Sequence, residues 1–243
     1  MRQYFSVLMI AARSTIYKIL ALLLLMTAVE TALFWRLLRR APTGELYSLQ
    51  ELFRVSGIPF VSGAAFLLLC AILCMVGYEV SGSRTRYTIQ RLSVSEERAT
   101  LLMGAYNMVC LFVFWAVQLL AVLLLCRLYM GHMDPMYYND QSIFIAFYNN
   151  SFLHSLLPLD ETSRYIRNAI IFFTLGISLA CLSLKQRRGQ KGVGAIAFFT
   201  VTATLTFPQR TGGFFSDLLI MVSASAVTLY YLYYIFKGQR YED

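Results

Sequence analysis

The chain has 243 residues, 58% of them hydrophobic and 14% charged, with a formal net charge of +8. Soluble domains carry about 25% charged residues, so the polar shell of a water-soluble globule is missing here. The positive charge lies between apolar runs, which makes it a membrane-topology signal and leaves no basic surface to assign to nucleic acid.

In chain order, Met1–Arg13 places Tyr4, Phe5, Leu8, Met9 and Ala12 on one helical stripe, with Arg2 and Arg13 outside it. That pattern predicts an amphipathic helix lying in the membrane surface. The first predicted span is 16–36. It is too long for a cleavable leader, and no A-x-A site follows it, so it is expected to be retained. Glu30 lies inside this span, where an ionisable residue is a candidate functional group. It is expected either to pair toward Arg36 and Arg39 or to sit on a substrate path.

The connector "ELYSLQELFRV" sets Leu46, Leu49, Leu52 and Phe53 on one helical face. Spans follow at 57–78 and 99–126, separated by the polar segment Glu79–Arg98. In the third span Asn107 and Gln118 are eleven residues apart, close to three helical turns, so they share a face. They are expected either to hydrogen-bond between helices or to line the same substrate path as Glu30. The longest polar stretch is 127–165. There Ile143, Phe144, Phe147, Leu153, Leu156 and Leu157 alternate with polar residues, predicting an amphipathic helix capped by Asp140 and ended by Pro158. His132, His154, Asp134 and Asp160 have no metal-ligand spacing, and no metal site is expected. Asn149-Asn150-Ser151 fits the glycosylation pattern, which matters only in a eukaryotic secretory route. The last three spans are expected at 166–184, 192–208 and 215–236. The basic run "LKQRRGQKG" between the first two of these reads as a headgroup anchor. The five cysteines, at 70, 74, 110, 126 and 181, read as small apolar packing residues. Ala28/Ala32 and Gly176/Ala180, each four apart, allow close helix crossings.

Runs of about 20 apolar residues cross a bilayer, and in lipid each must satisfy its own backbone, so all are helices. The expected fold is therefore an all-α integral membrane protein, one transmembrane domain over 1–243 with six spans. With the N-terminus inside, 13 Lys and Arg fall in inner segments and eight in outer ones. Both termini are then cytoplasmic, in a multi-pass protein of a plasma membrane.

Neither G-x-x-x-x-G-K-[ST], H-E-x-x-H nor G-x-S-x-G occurs, so the chain has no nucleotide loop or catalytic motif of these kinds. The informative segment is "EVSGSRTRYTIQRLSVSEER", Glu79–Arg98. Gly82 can end the second span, and Arg84–Gln90 can form a short helix. Ser93-Val94-Ser95-Glu96 is a capping box that restarts a helix into the third span. The expected shape is a rigid cytoplasmic knob between spans two and three.

At these residues the chain resembles the membrane subunits of type-two ABC exporters. Glu79, Gly82, Thr88, Leu92, Val94 and Ser95 fit that family's segment after its second span. Ser93 stands where the family has proline, and the family's arginine is either replaced by Glu96 or displaced to Arg98. The resemblance implies a bacterial permease subunit with no cofactor of its own. ATP would be used by a separate cytoplasmic ATPase subunit, and a second copy or a sister permease would complete the path. It implies that Glu79, Arg84, Arg86, Arg91, Ser93, Ser95, Glu96, Glu97 and Arg98 face the ATPase. The alternative is a non-transporting regulatory or immunity subunit that holds a partner through the same loop. An ion-coupled transporter is a third reading, with little intramembrane charge to support it.

Overall fold

The computed structural model describes residues 2–40, 48–75, 95–132, 140–187, 193–207 and 213–237. Among these every regular element is an α-helix. Four helices are long and apolar enough to cross a membrane, and a bent pair makes a fifth if counted as one span.

The first of the four is α1, Arg2–Arg40, 39 residues without a break. The separate surface helix expected at Met1–Arg13 is instead the first part of α1. No Pro or Gly interrupts the chain there. Ser14 and Thr15, residue types that often cap helices, donate back to the Ala11 carbonyl at 2.9 Å each. Hydroxyls bonded this way stay within a helix instead of starting one. Thr15 also meets the Tyr106 hydroxyl at 2.7 Å, which ties α1 to its neighbour.

Helix α2, Leu49–Val55, is capped by Ser48 and buries Leu49, Leu52 and Phe53, the predicted face; Leu46 lies outside the described residues. It meets α3, Ile58–Cys74, at a bend of 52°. Gly57 makes that bend with φ of 73°, a left-handed conformation that glycine adopts without steric cost. Pro59 then stands in the first turn of α3, where its missing amide is harmless.

Helix α4, Glu96–His132, has 37 residues. The amphipathic segment beyond it forms two helices in place of the one expected: α5, Asp140–Asn149, and α6, Ser151–Leu156. The break is at Asn150, whose side chain accepts from the amides of Phe152 and Leu153 at 3.0 and 3.2 Å. Asparagine is among the strongest N-caps. Its amide nitrogen also donates to the Gln50 carbonyl at 3.0 Å, fastening α6 to α2.

Helix α7, Thr162–Arg187, is the centre of the bundle. In its apolar stretch 78% of residues are buried, against 22% in α1 and in α9, Gly213–Lys237. It packs chiefly on α4 and α9. The α4–α7 crossing is close at Gly104 and Gly176: a Cβ on Gly176 would lie 2.9 Å from the Gly104 carbonyl oxygen. So Gly176 does permit a close crossing, as expected, whereas Ala28 and Ala32 lie on an exposed face of α1. Helix α8, Val193–Thr206, has only 14 residues. At 1.5 Å per residue it is about 21 Å long, short of a hydrocarbon core of about 30 Å.

Three apolar clusters hold the bundle. The central one joins α1, α3, α4, α7, α8 and α9. A second packs α2, α5 and α6 against the ends of α1 and α4, around Phe34, Phe53, Tyr129 and Leu153. The third, Val7, Ala99, Met103 and Ala180, closes the opposite end. There Lys185 lies 4.6 Å from the ring centre of Tyr234 and 5.2 Å from that of Tyr231, a cation–π tie between α7 and α9. None of the five cysteines is in a disulfide, and all but Cys74 are buried.

Candidate functional site

Polar groups buried in a membrane bundle are costly unless paired, so their positions carry the chemistry. Two such centres occupy the end of the bundle that bears α2, α5 and α6.

The first joins two of the predicted path residues. Glu30 on α1 is fully buried, and its Oε1 accepts from Gln118 Nε2 at 2.9 Å. The expected pairing with Arg36 or Arg39 does not occur. At 100° per residue those side chains project about 240° and 180° away from Glu30, and both are exposed, with Arg39 lying over the Trp35 ring at 5.0 Å. Glu30 Oε2 and Gln118 Oε1 have no hydrogen-bond partner among the described residues. Asn107 shares the inward face of α4, as its spacing predicted, but faces a different helix. Its amide nitrogen lies 3.4 Å from the Gly176 carbonyl oxygen on α7. The structure therefore brings Glu30 and Gln118 together and leaves Asn107 apart.

Gln118 also lines a cavity of about 60 Å³ between α3, α4, α6, α7 and α8. Its wall is otherwise mostly apolar, with Phe66, Phe114, Trp115 and Phe172 among it. These rings tilt against one another at centroid distances of 5.7 to 6.5 Å. Trp115 is held by donating to the Leu156 carbonyl at 3.1 Å, which also anchors α6 over the cavity.

The second centre is an ion network that the sequence did not single out. Arg164 and Arg167, on the first turns of α7, are buried, as is Asp217 on α9. Arg167 Nη1 donates to Asp217 Oδ1 at 2.8 Å, and Ser163 donates to Asp217 Oδ2 at 3.1 Å. Arg167 also donates to Asn168 Oδ1 at 3.2 and 3.3 Å, and Asn168 donates to the Ser155 carbonyl at 3.1 Å. Arg164 pairs with Glu161. The buried His154 has Nε2 3.2 Å from Asp160 Oδ1 and 3.9 Å from Glu161 Oε2. The chain of contacts thus runs from α9 through α7 to α6. The sequence signal for it is the charged helix start "DETSRYIRN" followed by Asp217, 50 residues after Arg167, at the head of the last span.

Ligand atoms of His154, Asp160 and Glu161 lie within 4.8 Å of one another, the spread of a metal-binding set. The fit to a cation is poor, because Arg164 already neutralises Glu161 and Arg167 adds a second buried positive charge behind it. His132 is elsewhere, 5.8 Å from the Trp35 ring centre.

Of the residues predicted to face a partner, Glu79, Arg84, Arg86, Arg91 and Ser93 lie outside the described residues, as does the proposed short helix. Ser95 directly precedes α4, and its carbonyl accepts from the Ala99 amide at 3.0 Å. Ser95, Glu96 and Arg98 are exposed and Glu97 is half-buried. Arg98 donates to the Tyr4 hydroxyl of α1 at 3.1 Å. No protein-family model, curated protein or solved structure matches the chain.

Proposed function

We propose that this chain is the membrane-spanning subunit of an ATP-driven exporter of the ABC permease kind. In this reading it makes six spans, with the α2–α3 pair as one bent span and α8 as a short one, and both termini are cytoplasmic. A separate ATPase subunit docks on 79–98, and a second copy or a sister permease completes the path.

The observation that supports this reading is the joint at the start of α4. The polar segment enters a 37-residue helix directly, with no flexible linker after Ser95. Arg98 ties that entry to Tyr4, and Val7 packs on Ala99 and Met103. A push on the segment would move α1 and α4 together. The same two helices carry Glu30 and Gln118 at their far ends, so a motor at one end has a mechanical route to the polar pair at the other. Such gating by packed rigid elements is how conformational steps reach a site.

The test is co-purification with an ATPase encoded beside this chain. Arg91→Glu with Arg98→Glu is expected to weaken the complex or uncouple ATP hydrolysis, and unchanged binding and turnover would overturn the docking assignment. One observation favours a second reading, a non-transporting regulatory or immunity subunit: Glu30 and Gln118 are both buried and bonded to each other inside the bundle. ATP-driven movement of solute in vesicles separates the two.

A further inference from the structure

We propose that the cavity beside Glu30 and Gln118 is a binding site for a small organic cation of the alkylammonium class. Two acceptor oxygens, Glu30 Oε2 and Gln118 Oε1, are buried with no donor among the described residues. A buried acceptor without a donor is costly, and a pair of them, one on a carboxylate, selects a ligand that brings N–H groups and positive charge. Gln118 is the member of the pair that reaches the cavity wall. Its Nε2 donates to Glu30, which polarises the amide and makes Oε1 a stronger acceptor. Glu30 thus acts from behind as the positioning and charge-supplying residue.

The rest of the wall decides the kind of cation. Phe66, Phe114, Trp115 and Phe172 contribute aromatic rings, whose faces attract an ammonium group, Trp most strongly. A bare metal cation would need about six oxygen ligands, and this wall supplies too few. The cavity of about 60 Å³ has the room of about two water molecules, so the ammonium head carries no more than a short alkyl chain.

Binding is measured on the chain alone, so its failure leaves the exporter reading standing. The chain has two tryptophans, and Trp35→Phe leaves Trp115 as the only reporter. The full chain is placed in lipid nanodiscs and titrated with ethylammonium, with ethanol as the neutral analogue of similar size. The expected result is a saturable change in Trp115 emission with ethylammonium and a response at least about tenfold weaker with ethanol. Glu30→Gln is expected to weaken ethylammonium by about tenfold or more. Ala203→Leu fills the cavity from α8 and leaves the polar pair untouched, so it serves if Glu30→Gln does not fold; it is expected to abolish the response. An unsaturable response, equal affinity for ethanol, or full binding in Ala203→Leu overturns the proposal.

Discussion

At the residue scale, the strongest single dependency is the Arg167–Asp217 pair. Both side chains are buried, and removing one leaves an uncompensated charge, which costs about 3–5 kcal/mol. Asp217→Asn is therefore expected to lower the thermal midpoint in detergent sharply. The double variant Arg167→Met with Asp217→Leu is expected to lose clearly less than the two single losses combined, because it strands neither charge. Additive losses would show that the pair does not act as a unit. A second residue-scale prediction concerns Gly176. Its added Cβ would press on the Gly104 carbonyl and on Met108, so Gly176→Ala is expected to destabilise by about 1–3 kcal/mol through overpacking. The same change at Gly194, which has nothing within 4 Å, is expected to be near neutral, and chemical unfolding of the two variants side by side checks the difference. These examples divide by what a sequence can carry. The shared face of Asn107 and Gln118 was legible because helical spacing alone sets it. That Gln118 meets Glu30 while Asn107 meets Gly176 was not, because the neighbour is chosen by packing.

At the element scale, breaks in the chain follow local chemistry. The α2–α3 bend falls at Gly57, the start of the predicted second span, and Pro59 stands in the first turn beyond it. Asn150 marks a break just as clear in retrospect, yet the apolar pattern runs through it, and periodicity outweighed the cap signal. Asn150→Ala removes the N-cap of α6 and is expected to cost about 0.5–2 kcal/mol. Because Asn150 also holds the Gln50 carbonyl, hydrogen exchange should rise in α2 as well as in α6. Exchange confined to α6 would show that the link between them is not structural. The opposite case is Ser14-Thr15, a pair that reads as a boundary and behaves as helix interior. Their hydroxyls take the Ala11 carbonyl, so α1 continues.

At the scale of the whole molecule, α7 is more polar at its start than the other long helices and yet is the most buried. Arg164 and Arg167 are two of the eight Lys and Arg counted in outer segments, and both are buried and ion-paired. The inside-positive count itself remains a property of the chain, and it makes a definite prediction. With endogenous cysteines replaced, Ser95→Cys is expected to react with impermeant maleimide only after the membrane is opened, and Tyr148→Cys to react in intact cells. Reversed labelling would invert the topology and overturn the proposed ATPase docking on 79–98. Helices α3, α4, α8 and α9 all pack on α7, and α1 joins the bundle through α3 and α4, so loss of the α4–α7 crossing is expected to disturb the bundle beyond that pair.

Composition and apolar run length determined by themselves that the chain is helical and built for a membrane, since a bilayer leaves backbone groups no other partner. Spacing determined which residues share a face. Only the tertiary structure decided that α7 is the central helix, that Glu30 answers to Gln118 and not to arginine, and that Asp217 closes a network begun at α6. Those pairings join residues 50 to 88 positions apart. Local sequence fixes the direction in which a side chain leaves its helix, but the partner it finds there depends on how the helices pack.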